Sequence, residues 1–268
     1  MKIVVPMAGR GSRFAAVSHQ NPEYKKPKPL IDVKGLPMVA WALKSFPFVD
    51  LPFRKAKTKI KVSPGDLIFI CLKEHKKEFN ISTVLKNTFG DAISVLSIPE
   101  VTRGAAETAR KAKRLVDRDE DLIITDSDHF FDGRSLYKQI LRIGKQVSGI
   151  IPVFTEHNYD PKWSYTLTDK RNIALDVNEK DVNLARQGAY ANIGGYYFAK
   201  SSYFFDEADG MIRDNDVYGD EGKKEFYVAP IYRRLIQKGH KIGVAVSPKV
   251  WGLGTPGDYE HFLAHYPA

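Results

Sequence analysis

The feature that most restricts the fold is an alternation, over the first half of the chain, of short apolar runs with helix-length segments. Lys2–Pro6, Leu67–Leu72, 92–98, 121–125 and Gly149–Phe154 read as buried strands. Between them, 36–46 is apolar on nearly every side, and 105–117 carries apolar residues at helical spacing with Arg and Lys outside. Strands separated by helices pack as a parallel α/β sheet, and ligands of such sheets sit beyond the carboxyl ends of the strands. Three glycine- or aspartate-bearing segments fall at those ends, after Pro6, after Ile98 and after Thr125.

Past Phe154 the strands shorten, to 165–168, 173–177, 191–198 and Ile242–Val246, with helices expected at Ala229–Gln237 and 258–264. These read as mixed strands laid beside the first sheet. No linker rich in Pro, Gly or Ser divides the 268 residues, which predicts one domain with lobes at about 1–148 and 149–268.

Forty-one basic against 32 acidic residues give a net charge of +9, which suits an anionic partner without choosing one. The single cysteine, Cys71, excludes an intrachain disulfide and a cysteine-cluster metal site. The apolar run after Lys2 is too short for a secretory signal and no stretch is long enough to span a membrane, so a cytoplasmic location is expected. A basic stretch at 53–62, with Arg54, Lys55, Lys57, Lys59 and Lys61, reads as a solvated loop or edge hairpin. Its alternative is an anionic or subunit contact surface.

Gly9-Arg10-Gly11-Ser12-Arg13 follows the first strand. It lacks the Gly-Lys-Ser/Thr of a Walker loop, and Phe14 stands where a dinucleotide fingerprint needs its third glycine. What remains is a loop whose N–H groups can line an anion nest, with two arginines beside it. Downstream, Pro27 and Pro29 restrict the backbone on either side of Lys28 and so limit where its ammonium points.

The Gly-Arg-Gly-Ser-Arg loop followed by Pro27-Lys28-Pro29-Leu30 resembles the signature of the nucleoside-diphosphate-sugar pyrophosphorylases, the sugar nucleotidyltransferases. The resemblance continues in order through Thr102-Arg-Gly-Ala-Ala-Glu-Thr108, Ser127-Asp128-His129, Asn178-Glu179-Lys180, 192–198, Glu225-Phe-Tyr-Val-Ala-Pro230 and Trp251-Gly-Leu-Gly-Thr-Pro256. It implies a Rossmann-like three-layer nucleotidyltransferase fold with a mixed, mainly parallel sheet and a smaller acceptor-binding lobe. It also implies a reaction in which an acceptor phosphate attacks the α-phosphorus of a nucleoside triphosphate and expels pyrophosphate. Arg13 and Lys28 would be catalytic. Ala8, Gly9, Arg10, Gly11 and Ser12, with the backbone of Arg103, Gly104 and Ala105, would bind the nucleotide. Glu179, Lys180, Asn192 and Gly194 would bind the acceptor, and Asp128 would hold Mg²⁺. The base is expected to be a pyrimidine, from CTP or from UTP or dTTP.

Three departures stand out. Trp251, Gly252 and Leu253 occupy the stretch where many relatives carry a second metal-binding aspartate, leaving that carboxylate absent or supplied by Asp126. Lys224 replaces a small residue before Glu225, and 53–62 resembles an insertion. The wording around 161–165 and 251–256 is similar to that of a short, capsule-associated subgroup, some of whose members use acceptors other than a hexose phosphate.

Two rival readings come from the residues. Asp126-Ser-Asp128 is an Asp-x-Asp, as a metal-dependent glycosyltransferase would use on a nucleotide-sugar. The charge of +9 with thirteen tyrosines fits a nucleic-acid binder. The preferred reading needs neither nucleic acid nor a membrane as partner, and self-association into a homo-oligomer stays open. His129 could touch a phosphate or serve structure, whereas His75, His240, His261 and His265 read as surface residues and Cys71 as packing.

Overall fold

The computed structural model describes residues 1–219, 221–222 and 224–267. Ten strands form one continuous sheet: β1 (Lys2–Pro6), β2 (Leu67–Leu72), β3 (Ser94–Ile98), β4 (Leu122–Thr125), β5 (Gly149–Phe154), β6 (Ser164–Thr168), β7 (Ala174–Glu179), β8 (Tyr190–Asn192), β9 (Gly195–Phe198) and β10 (Ile242–Val246). Their order is β7-β6-β8-β5-β9-β4-β1-β2-β3, with β10 paired to β5. β3, β2, β1 and β4 run parallel, as do β5 and β10, whereas β9 enters antiparallel between β4 and β5. The two halves of the chain therefore share a sheet rather than lying side by side. This is the expected α/β class, with a mixed and largely parallel core.

Alternation along the strands builds the layers. Val4, Ile68, Ile70, Leu122 and Ile124 face one core with Phe204, Phe205 and Tyr232. Ile3, Val5, Phe69, Cys71 and Ile123 face the other with Val39, Leu43, Phe46 and Phe89. Both faces are covered, so these strands carry no polar side, as a parallel sheet requires.

Several elements differ from expectation. The helix expected over 36–46 is confined to Met38–Lys44, because Leu36–Pro37 pairs with Asp32–Val33 in a small hairpin. The helix from Ala105 ends at Arg110 and continues as a tight turn over Lys113–Leu115. The expected strand 191–198 is broken into β8 and β9. At the break the Gly195 N–H bonds back to the Ile193 carbonyl, and the Gly194 carbonyl accepts from Asp126 N–H and Thr125 Oγ. Unanticipated helices cover Lys73–Phe79, Ile81–Phe89, Arg134–Ile143 and Ser201–Arg213.

The basic stretch is a loop with an interior anchor. Arg54 reaches inward and donates to the carbonyls of Lys44, Phe46 and Val49, while Lys55, Lys57, Lys59 and Lys61 are exposed. His75, expected at the surface, is buried.

A third apolar cluster joins the two ends of the chain. Phe14, Tyr24, Trp41, Trp251, Tyr259 and Phe262 pack together, with Phe14 and Tyr24 edge to face at 5.0 Å and Tyr24 and Tyr259 at 5.8 Å. The Tyr259 hydroxyl donates to the Asp32 carbonyl. The C-terminal helix Pro256–His265 thus braces the loop that carries Arg13. No helix among the described residues is long and apolar enough to cross a membrane.

Candidate active site

Two clefts open beyond the carboxyl ends of β1, β4 and β7. The larger, about 640 Å³, is lined by Arg13, Lys28, Asp126, Asp128, Glu179, Lys180, Asn192 and Gly194 among others. The smaller, about 400 Å³, is lined by Ala8, Gly9, Arg10, Gly11, Arg103, Gly104 and Ala105. Lys28, Ser127, Ala105 and Glu225 border both. Of the residues singled out from sequence, Ser12 alone lines neither; it opens the short helix Ser12–Ala15 and is exposed.

Local geometry explains the glycine loop. Gly11 caps that helix at φ 62°, a left-handed conformation suited to glycine, and a β-carbon there would stand 3.3 Å from Lys28 Cβ. The loop and the lysine stem therefore lie against each other. Lys28 begins a tight turn, Lys28–Leu30, and its Nζ donates to Asp128 Oδ2 at 2.5 Å.

The segment after β4 carries the carboxylates. His129–Phe131 pairs with Val250–Gly252, and Leu253 N–H donates to the Asp128 carbonyl, so the closing motif is laced to the aspartates. Asp126, Asp128 and His129 each present a ligand atom within 4.8 Å of the others. Glycines make the room: a β-carbon on Gly194 would fall 1.9 Å from Asp126 Oδ2, and one on Gly254 2.8 Å from Asp128 Oδ2. His129 Nδ1 lies 3.2 Å from Asp128 Oδ1 without a hydrogen bond. Two hard carboxylates in a cradle of this kind fit Mg²⁺, while the imidazole nitrogen is a ligand type that suits transition ions better.

Charge in the pair is unevenly spread. Burial alone would raise the Asp128 carboxyl, but Lys28 and His129 outweigh it and hold the group far below the usual range. Asp126 moves the other way, raised by burial and by the neighbouring Asp128. Burial lowers His129, yet Asp128 and Asp126 more than reverse this. At the end of β7, burial pushes the Glu179 carboxyl up to about 8, with Lys180 opposing and Asp126 and Glu225 adding to the rise. Burial thus favours the protonated form of Glu179, whose hydroxyl can donate. Lys180 adopts φ 58° and its N–H donates to the Trp163 carbonyl.

Two of the expected binding residues already carry partners. The Arg103 N–H donates to Glu107 Oε2, and its carbonyl accepts from Phe226 N–H, which leaves one lone pair for a base. Its guanidinium pairs with Glu107 and lies over the Phe226 ring. Gly104 and Ala105 N–H remain without an acceptor among the described residues. Gly104, at φ 147°, passes so close to Phe226 that a β-carbon would meet its backbone at 2.5 Å. Asn192 lies in the cleft wall, but its amide is already engaged. Thr166 Oγ donates to its oxygen and its Nδ2 donates to Ser164 Oγ.

The cleft also holds Asp160, Lys162, Trp163, Tyr196, Tyr227 and Asp258, which sequence reasoning gave no role. Lys162 Nζ lies 3.2 Å from Asp160 and 4.0 Å from Asp258. The Pro-Lys-Trp wording at 161–163 was a signal for two of them; Asp258, in an ordinary helix first turn, offered none.

A family model described as nucleotidyl transferase matches residues 4–251. The chain belongs to the nucleotidyl transferase family. Its fold is similar to that of the nucleoside-diphosphate-sugar pyrophosphorylase from Vibrio cholerae RC9, at 22% identity and a TM-score of 0.73, over 98% of this chain and 100% of that one. The inositol-1-phosphate CTP transferase from T. maritima superposes at 12% identity and 0.67, over 100% and 97%. A UDP-glucose pyrophosphorylase complexed with UDP-glucose does so at 14% and 0.68, over 99% and 97%. No curated protein matches. Membership of the nucleotidyl transferase family favours nucleotidyl transfer over the glycosyltransferase and nucleic-acid readings of the same residues.

Proposed function

We propose that this nucleotidyltransferase moves a pyrimidine nucleoside monophosphate from its triphosphate to a phosphorylated small-molecule acceptor such as a sugar 1-phosphate, releasing pyrophosphate. The observation that carries the reading is the meeting of two compartments at Lys28. The smaller, bounded by the Ala8–Gly11 loop and the Gly104 and Ala105 N–H groups, takes base and ribose. The larger takes the acceptor, with Lys180 toward its phosphate and Glu179 toward a hydroxyl.

The attacking group is an acceptor phosphate oxygen, already ionised at neutral pH. It bonds to the α-phosphorus as the bond to the bridging oxygen breaks, and the electron pair leaves on pyrophosphate. No protein base is needed, so the residues act by alignment and charge neutralisation. Arg13 and the glycine-loop amides hold the β- and γ-phosphates, and Lys28 moves with the charge on the α-phosphoryl. Asp128 and Asp126 would hold Mg²⁺, which when bound would supply positive charge to the triphosphate. Asp126 thereby stands in for the carboxylate missing before Gly254. Lobes at about 1–148 and 149–268 would divide nucleotide from acceptor. A cytoplasmic enzyme supplying precursors of a surface polysaccharide, of the capsule kind, accords with this reading.

The test is a matrix of CTP, UTP, dTTP, ATP and GTP against phosphorylated acceptors, read by pyrophosphate release. Release with one pyrimidine triphosphate and one acceptor is expected. Lys28→Ala and Asp128→Asn should each lower that rate by about 10²–10³. Release confined to purines, or full activity in Lys28→Ala, would refute the assignment.

A further inference from the structure

The ammonium of Lys28 lies on the carboxylate that the proposed mechanism reserves for a metal. Its Nζ is 2.5 Å from Asp128 Oδ2, and the other oxygen, Oδ1, has His129 Nδ1 at 3.2 Å. Both oxygens of Asp128 thus lie beside a nitrogen. Asp126, the second carboxylate, has its nearest ion-pair contact at 3.8 Å, to His129. A divalent ion arriving alone at Asp128 would have to displace Lys28, whose other neighbouring carboxylate, Asp126, is the second proposed metal ligand.

The path of that displacement is restricted. The Lys28 stem packs over Gly11, where even a β-carbon would be at 3.3 Å, and the backbone is held by Pro27 and Pro29. On the side of the closing motif, Asp128 Oδ2 already occupies the space that Gly254 leaves open, 2.8 Å from where a β-carbon would stand. Lys28 borders both clefts, so an ammonium leaving Asp128 swings along their junction, where the proposed triphosphate lies.

We infer that Lys28 is a resident counter-ion of Asp128, and that the site admits a divalent metal only together with a triphosphate, whose oxygens receive Lys28 as the metal takes the carboxylate. The exchange is of ion pairs alone: Asp128 passes from ammonium to metal, and Lys28 from carboxylate to phosphate. No covalent bond changes. This deepens the function proposed above and rests on it. It gives Lys28 a task before chemistry begins, pairing with Asp128 and keeping the metal out until the nucleotide is present.

The experiment measures Mn²⁺ binding to the nucleotide-free full-length protein by the loss of the free-ion paramagnetic resonance signal. Wild type should bind weakly. Lys28→Met, which keeps the stem and removes the charge, should bind at least tenfold more tightly, and Lys28→Arg should stay within threefold of wild type. Adding Asp128→Asn to Lys28→Met should abolish the gain. If Lys28→Met melts early, Lys28→Gln replaces it. A gain below fivefold in a folded charge-removing variant, or one that survives Asp128→Asn, overturns the inference. Pyrophosphate release by the wild type is scored separately. A failed Mn²⁺ result with normal release sinks only this inference, and no release with any substrate pair sinks the function proposed above.

Discussion

Replacing Gly194 with alanine tests whether the strand break between β8 and β9 exists to seat a carboxylate. The new β-carbon would stand 1.9 Å from Asp126 Oδ2, 2.5 Å from its Cγ and 3.0 Å from its Cβ. The backbone cannot yield easily, because Asp126 N–H is bonded to the Gly194 carbonyl at 2.9 Å. The carboxylate must therefore rotate out of place. Overpacking of this kind costs about 1–3 kcal/mol, and half or more of it should come from the carboxylate. Asp126→Ala removes the two nearest atoms and leaves the contact at 3.0 Å, which small shifts relieve. Urea unfolding of wild type, Gly194→Ala, Asp126→Ala and the double variant forms a cycle that isolates this term. The penalty of Gly194→Ala should fall by about 1 kcal/mol or more in the Asp126→Ala background. An equal penalty in both backgrounds would show that the glycine serves the backbone alone, and the seating argument would fail.

Gly104→Ala forces a β-carbon into the Phe226 backbone at 2.5 Å from φ 147°, and should cost about 2–4 kcal/mol in urea while weakening nucleotide binding. Unchanged stability would show that the 102–106 loop is not held against Phe226. Glu179 has a carboxyl raised to about 8 from an ordinary 4.5, so the folded state holds its proton more tightly than the unfolded chain. Its stabilising contribution is complete below about 4.5, falls as pH rises through about 8, and is gone above. Urea midpoints for wild type and Glu179→Gln should diverge as the pH rises from 5 to 9, the wild type losing more; parallel profiles contradict the shift. Arg54→Ala removes the side-chain donor from the carbonyls of Lys44, Phe46 and Val49, of which Phe46 keeps the Val49 N–H, and should cost about 2–3 kcal/mol, whereas Lys55→Ala should stay within about 0.5. Comparable costs for the two would return Arg54 to the solvated loop.

The parts of the fold legible in sequence are those where one physical demand acts alone. β1, β2, β5 and β10 have the bounds expected because a strand buried on both faces leaves an unbroken apolar run. Helices whose buried face is small or includes polar residues were hidden. Lys73–Phe79 buries only His75, and Ser201–Arg213 buries Ser201, Glu207 and Gly210 among its apolar residues. Glu207 is tolerated there because Arg234 and Lys238 pair with it, a partnership no local pattern announces. The glycine loop, Lys28 and the Asp126–Asp128 pair were readable because each is a short local grouping of charge and glycine. The place of Asp258 near Lys162, the engagement of Asn192 and the packing of Arg103 on Phe226 were not, because each depends on partners distant in the chain. Arg54 looked solvated for the same reason: its acceptors are carbonyls, and carbonyls leave no trace in composition.

The aromatic cluster that ties Phe14 to Tyr259 and Phe262 has a consequence for folding. Its rings come from stretches far apart in sequence, so closing the cluster costs more loop entropy than pairing β1 with β2. The segment that carries Arg13 is therefore braced by a contact of high sequence separation, and a chain that has paired β1 with β2 has yet to fix that arginine's position.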